Sequence, residues 1–160
     1  RLDRETSGVM IFAKHKRHKE YLQEQFANRS VHRIYHALIE GRPEKNNGII
    51  HEWLLEDKFL RVKAVNKNHP NAKEAITYWS VEDSDEFASL LSLTIETGRR
   101  HQIRVGLANL GHPVVGDVQH GAEGNPIGRI ALHASSLELL HPETDDPIRF
   151  EATIPFGPEN

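Results

Sequence analysis

Three short stretches of the sequence hold side chains in combinations that can do chemistry. The chain opens Arg1-Leu2-Asp3-Arg4-Glu5-Thr6-Ser7-Gly8, one carboxylate between two guanidinium groups, just ahead of a turn-forming Thr-Ser-Gly and an apolar run. Turn hydroxyls can fix the carboxylate oxygens, and neighbouring cations favour its ionised form. An ionised, oriented carboxylate is a nucleophile; the competing reading is a surface loop with a local Asp–Arg pair, which adds little stability. The second stretch is Thr97-Gly98-Arg99-Arg100-His101-Gln102-Ile103-Arg104, where a strand gives way to a helix. A helix start attracts anions and opposes cations. Stability therefore explains this cluster poorly, and binding of a carboxylate or phosphate explains it better. Arg100 and Arg104, one turn apart, are expected to share a helix face. The third stretch is Arg33-Ile34-Tyr35-His36-Ala37-Leu38, in which period-two alternation sets Tyr35 on one face with Ala37 and Ile39, half buried. Its ring can stack on a planar substrate and its phenol can donate a hydrogen bond or move a proton. A structural sheet tyrosine with its hydroxyl at the rim is the alternative.

Composition excludes other chemistries. The 160 residues include no Cys, which removes disulfides, thiolate catalysis and Cys-based zinc sites. The 11 His are scattered without an H-E-x-x-H spacing, so no metal is expected. Gly121 to Gly128 lacks the spacing of a phosphate-binding glycine loop. No run of about 18 apolar residues and no basic-then-apolar leader is present, and the expectation is a cytoplasmic protein. The net charge of −3 argues against duplex DNA or an anionic membrane as partner. That average hides a segregation: residues 1 to 42 carry nine Lys/Arg and five acids, a balance of +4, and the rest carries −7. One basic face for phosphates on an acidic body is the expectation.

The elements that must position these groups follow from periodicity. A chain of this length buries roughly 70% of its unfolded surface and needs no staple; with no internal repeat, it reads as one domain, 1–160. Val9 to Ala13 is a short apolar run of strand length, and Lys16 to Arg29 carries Tyr21, Leu22 and Phe26 at helical spacing. Strands are expected over 34–40, 49–55, 62–65, 75–81 and 90–97, separated by Asn, Gly, Pro and Asp. Arg99 to Leu110 reads as a helix of about three turns stopped by Gly111-His112-Pro113. Leu132 to Leu140 suits strand or helix, and Arg149 to Ile154 alternates like a closing strand. Consecutive strands with two or three helices predict an α+β fold built on a mixed, largely antiparallel sheet.

Taken together, R-L-D-R-E-T-S-G, then R-x-Y-x-A-L-x-x-G at 33–41, E-T-G-R-R-H-Q-I-R, G-H-P-V-V-G-D at 111–117 and A-L-H-A at 131–134 resemble the RluA-type RNA pseudouridine synthases from Arg1 to about Pro155. The resemblance implies the fold of that family's catalytic domain and isomerisation of uridine to pseudouridine in structured RNA, ribosomal or transfer, without cofactor. It implies Asp3 as nucleophile, Tyr35 as the ring beneath the uracil, and Arg104 as the cation paired with Asp3. Leu132 matches an aliphatic residue near the base, and Arg1, Arg4, Thr6, Arg99, His101 and Gln102 are the expected substrate contacts. Lys14, Lys16, Arg17 and Lys19 are expected to track phosphates of the RNA from which the base is flipped. Strands and a Lys-Pro segment normally precede R-L-D in the family, so the chain reads as N-terminally truncated. No accessory RNA-binding domain is visible, Gly106 stands where the family often has His, and an open sheet edge predicts a homodimer. The rival readings are a catalytically impaired RNA-binding remnant and a metal-dependent hydrolase using the His residues.

Overall fold

Apolar alternation through the middle of the chain resolves into strands that ladder one after another in the computed structural model, which describes residues 1–158. The elements are β1 (Ser7–Gly8), α1 (Lys16–Ala27), β2 (His32–Glu40), β3 (Asn47–Glu56), β4 (Val62–Ala64), β5 (Lys73–Ser84), β6 (Ala88–Ile95), α2 (Gln102–Asn109), a single 3-10 turn at Val118–His120, β7 (Leu132–Leu140) and β8 (Pro147–Glu151). The strands form one sheet in the order β1-β7-β2-β6-β5-β3-β4, with β8 also paired to β7. Only β1 and β7 run parallel; every other ladder is antiparallel. The fold is α+β with a mixed, largely antiparallel sheet, and Leu132 to Leu140 is strand.

The main core lies between the sheet and α2. Ile103 and Leu107 of the helix pack with Ala37, Ile39, Ile50, Leu91, Leu93 and Leu132 from the strands, while Val105 closes a smaller cluster with Leu54, Val62 and Ala75. Helix α1 covers another patch, where Leu22 joins Val31, Leu137 and Leu139. Its docking is fixed by the buried Gln25, whose amide donates to Leu140 O at 2.9 Å and accepts from Leu140 N at 2.7 Å. Both halves of that amide are satisfied, so its burial carries no desolvation penalty.

Two expectations of local structure are corrected. Val9 to Ala13 is not a strand: the ladder with β7 ends at Gly8, followed only by Val9 N–H donating to Ala134 O at 2.8 Å. The alternation is nevertheless used, because Val9 and Ile11 pack in the α1 cluster while Met10 and Phe12 face solvent. No neighbouring strand among the described residues offers this segment a ladder. The helix expected over Arg99–Leu110 is the two-turn α2, because His101 takes a left-handed φ of 54° that a helix cannot contain. Arg100 therefore lies before the helix and shares no face with Arg104. It turns to Glu56, with Nε 3.0 Å from Oε2, whereas Arg104 points inward.

Candidate active site

The segment that carries Asp3 is anchored from behind. Ser7 and Gly8 lie in parallel register with His133 and Ala134, and Gly8, at φ 118°, sits where a Cβ would fall 2.1 Å from Ala134 O. His133 Nε2 lies 3.1 Å from Ala152 O. A carbonyl only accepts, so Nε2 carries the proton and Nδ1 accepts from Ser7 Oγ at 2.7 Å. Ser7 Oγ in turn accepts from Arg129 Nη2 at 2.5 Å. This directed chain fixes the Thr-Ser-Gly turn, and Thr6 N–H donates to Asp3 O at 3.0 Å to close the loop before it.

Arg104 arrives from α2. Thr97 Oγ1 donates to Gln102 Oε1 at 2.6 Å, and Gln102 Nε2 donates to Ile76 O and Thr77 Oγ1, both at 2.9 Å. The start of α2 is thereby pinned to β5. Arg104 is buried, and its Nε and Nη2 donate to Asp117 at 2.7 and 2.8 Å, with Gln119 Oε1 at 3.3 Å. Its free Nη1 lies 3.6 Å from Asp3 Oδ2. Burial opposes the charge on Arg104, but the hydrogen bonds and charge of Asp117, together with Asp3, outweigh it and raise the pKa. Asp117, fully buried, is thus the main partner of the guanidinium, and Asp3 takes the outward edge. The pairing of Arg104 with Asp3 expected from sequence is present as a secondary contact.

Two histidines stand beside this pair, of which His101 lines the site. His101 Nε2 is 4.0 Å from Asp3 Oδ2, and His101 Nδ1 is 3.0 Å from His120 Nε2. Burial lowers the pKa of both rings, and Arg104 adds to the effect. Both are neutral at neutral pH, so they add no positive charge beside Arg104.

Tyr35 comes from β2, where a bulge between Ile34 and Tyr35 leaves Ser135 of the partner strand unopposed. Bulges commonly re-aim side chains next to sites. Tyr35 is more deeply buried than the half expected. Burial raises its phenol pKa and Asp3 adds to the rise, against the opposing Arg33. The phenol therefore stays protonated at neutral pH.

Several of these groups line one small hollow that is open to solvent. Asp3, Tyr35, Arg104 and Leu132 line it, as do Arg1, Thr6, Arg99, His101 and Gln102. Arg4 does not: it faces a separate polar cleft with Asp117, Gln119 and Arg129. Among the α1 cations, Lys19 borders a groove that reaches Tyr35. Lys16 lies 3.9 Å from Glu20, Arg17 is paired with Glu143 at 3.0 Å, and Lys14 is exposed. The expected basic face is therefore dispersed. Sequence reasoning missed Arg33, which lines the hollow, and gave no role to Asp117, His120, Arg129 or His133. Of these, Arg33, Asp117 and His133 stood inside the motifs already quoted. Among the described residues no three His, Asp or Glu are grouped to hold a metal ion, and no helix is long and apolar enough to cross a membrane.

The chain is similar to known proteins along most of its length. The sequence profile of the RNA pseudouridylate synthase family matches residues 1–109. The RNA pseudouridine synthase YhcT of Bacillus subtilis (strain 168) is 38% identical over 162 residues, covering 100% of this chain and 53% of that protein. Ribosomal large subunit pseudouridine synthase C of Yersinia pestis is 34% identical over 161 residues, covering 96% and 50%. The chain thus spans about half the length of these bacterial relatives. Among solved structures, human RNA pseudouridylate synthase domain containing 1 superposes with a TM-score of 0.85 at 27% identity, over 98% of this chain and 68% of that one.

Proposed function

The chain belongs to the RluA-type RNA pseudouridine synthase family, and on that premise we propose that it converts uridine to pseudouridine in structured RNA, ribosomal or transfer, with Asp3 as nucleophile. The observation that carries the reading is the convergence of Asp3, Arg104 and Tyr35 on one hollow, from segments a hundred residues apart. The target base leaves its stack, at a cost of a few kcal/mol, and enters the hollow. Tyr35 and Leu132 take its faces, while Arg1, Thr6 and Arg99 hold the polar edge and sugar-phosphate; Gln102, expected from sequence as a substrate contact, has both ends of its amide engaged within the fold and positions α2 instead. The Asp3 carboxylate attacks the uridine while Arg104, immobilised by Asp117, orients it and balances its charge. The N1–C1′ bond breaks as the carboxylate bonds to C1′, the uracil turns within the hollow, and C5 then bonds to C1′ and expels the carboxylate, which is regenerated. The C5 hydrogen leaves as a proton and N1 ends protonated, so the net change is isomerisation and no cofactor enters. The phenol of Tyr35, held protonated, serves first as a donor.

We read residues 1–160 as one catalytic domain, with a cytoplasmic setting and a homodimer formed along the β8 edge. The exposed Phe150 on β8 favours the dimer, and the mass at sedimentation equilibrium tests it: a monomer removes it. The catalytic reading is tested by tritium release from RNA labelled at uridine C5. Release proportional to pseudouridine formed is expected. RNA binding without release supports the impaired RNA-binding remnant instead.

A further inference from the structure

The hairpin of β3 and β4, with the loop that follows, holds a concentration of positive charge that the reaction does not use. Residues 57–73 contain Lys58, Arg61, Lys63, Lys67 and Lys73 against the single acid Asp57, within the part of the chain whose balance is −7. At the tip, Phe59 is 66% exposed and Leu60 52%, so burial in this fold accounts for neither. Lys58 Nζ and Arg61 Cζ lie 5.0 and 5.2 Å from the Phe59 ring centroid. The tip is ordered by Asp57, which accepts from Phe59 N–H, Arg61 N–H and Arg61 Nε at 2.8, 3.1 and 2.8 Å.

The hairpin is joined to the site. Glu56 at its base pairs with Arg100, and Arg100 lines the open approach to Asp3 together with Arg99 and Arg33. Val62 packs in one cluster with Val105 of α2, one residue from Arg104. Phe59 stands in the turn that begins just beyond Glu56.

We propose that this hairpin is an RNA-binding arm: a base of the substrate RNA other than the reacting uridine stacks on Phe59, and Lys58, Arg61 and Lys63 take the flanking phosphates. The inference rests on the reading of the chain as an RNA-modifying enzyme and deepens it. An aromatic face bordered by cations suits a strand of nucleic acid, because every base has a π-face and every linkage a negative charge. Continuity with the approach to the hollow that holds Asp3 favours RNA over an acidic protein. Lys58, which stands over the ring, moves aside to a phosphate as the base arrives.

Fluorescence anisotropy on the intact gene product, with a fluorescein-labelled 30-nucleotide RNA stem-loop bearing a uridine-rich loop, tests the arm, and tritium release from C5-labelled RNA is measured beside it. Phe59→Ala and Phe59→Leu are expected to weaken binding roughly 5- to 100-fold, the range for losing one stacked base, while Phe59→Trp stays within about twofold of wild type. Lys58→Glu combined with Lys63→Glu is expected to lower the slope of log affinity against log salt by roughly 2. Unchanged melting temperatures confirm that each variant folds. Wild-type affinity in both Phe59→Ala and Phe59→Leu overturns the arm, as does equal weakening in Phe59→Trp, and either leaves the isomerase reading standing if tritium is released. Loss of affinity in these variants without tritium release from the wild type supports the arm and overturns the isomerase reading.

Discussion

Asp117 and Arg104 form the pair on which the charge balance of the site turns. Removing one partner of a buried ion pair leaves the other charge uncompensated, at about 3–5 kcal/mol. Asp117→Ala is therefore expected to lose that much stability in urea unfolding. Arg104→Lys keeps the charge but cannot span both Asp117 oxygens and Asp3, so pseudouridine formation should fall well below wild type while RNA affinity changes little. For Tyr35 the ring and hydroxyl separate: Tyr35→Phe should bind RNA like wild type but turn over roughly 10²-fold more slowly, the usual size of a lost proton-transfer group, whereas Tyr35→Leu should lose both. Asp3, Tyr35 and Arg104 were legible because each stands in an ordered motif with chemistry that its residue type can do. The role of Asp117 was not, although it closes G-H-P-V-V-G-D, because an Asp after Gly reads as a turn residue. Only the tertiary path of the 3-10 turn brings it beneath Arg104. The contact between His101 and His120, 19 residues apart, left no local signal at all.

At the scale of elements, Asp3 is only as well placed as the two-residue strand behind it. Gly8→Ala puts a Cβ 2.1 Å from the Ala134 carbonyl at a φ that L side chains rarely adopt. It should uncouple β1 from β7, and kcat should drop more than the melting temperature implies. Ser7→Ala and His133→Ala, which break the chain running from Arg129, should lower kcat with a smaller change in KM. The strands of the central sheet were readable from alternation because each presents one face to α2 or α1. Helix α2 was overestimated because Arg99 and Arg100 are good helix formers; the side-chain network of Thr97 and Gln102 and the left-handed His101 override that propensity. Val9 to Ala13 kept its alternation without a ladder, since period two reports which side is buried and says nothing of a neighbouring strand.

For the whole molecule, the basic excess of residues 1–42 survives folding only in part, since Arg17 is paired with Glu143, while within the acidic remainder Arg104 is taken up by the buried Asp117. A charge count cannot distinguish a cation that faces solvent from one that neutralises a buried acid. The same burial makes stability depend on pH. His101 and His120 have pKa values lowered by burial, so the unfolded chain takes up protons first. Their contribution is fully present above the unfolded value of about 6.5 and is lost as the pH falls below it toward the lowered folded values. Melting temperature should therefore decline below about pH 6.5, and His101→Asn with His120→Asn should decline less. All of this serves one proposition, that the Asp3 carboxylate performs the isomerisation. Nucleoside analysis of RNA incubated with wild-type protein and with Asp3→Asn tests it most directly. The account predicts pseudouridine from the wild type and none from the variant, at matched RNA affinity and melting temperature. Pseudouridine formed by Asp3→Asn at the wild-type rate would contradict it.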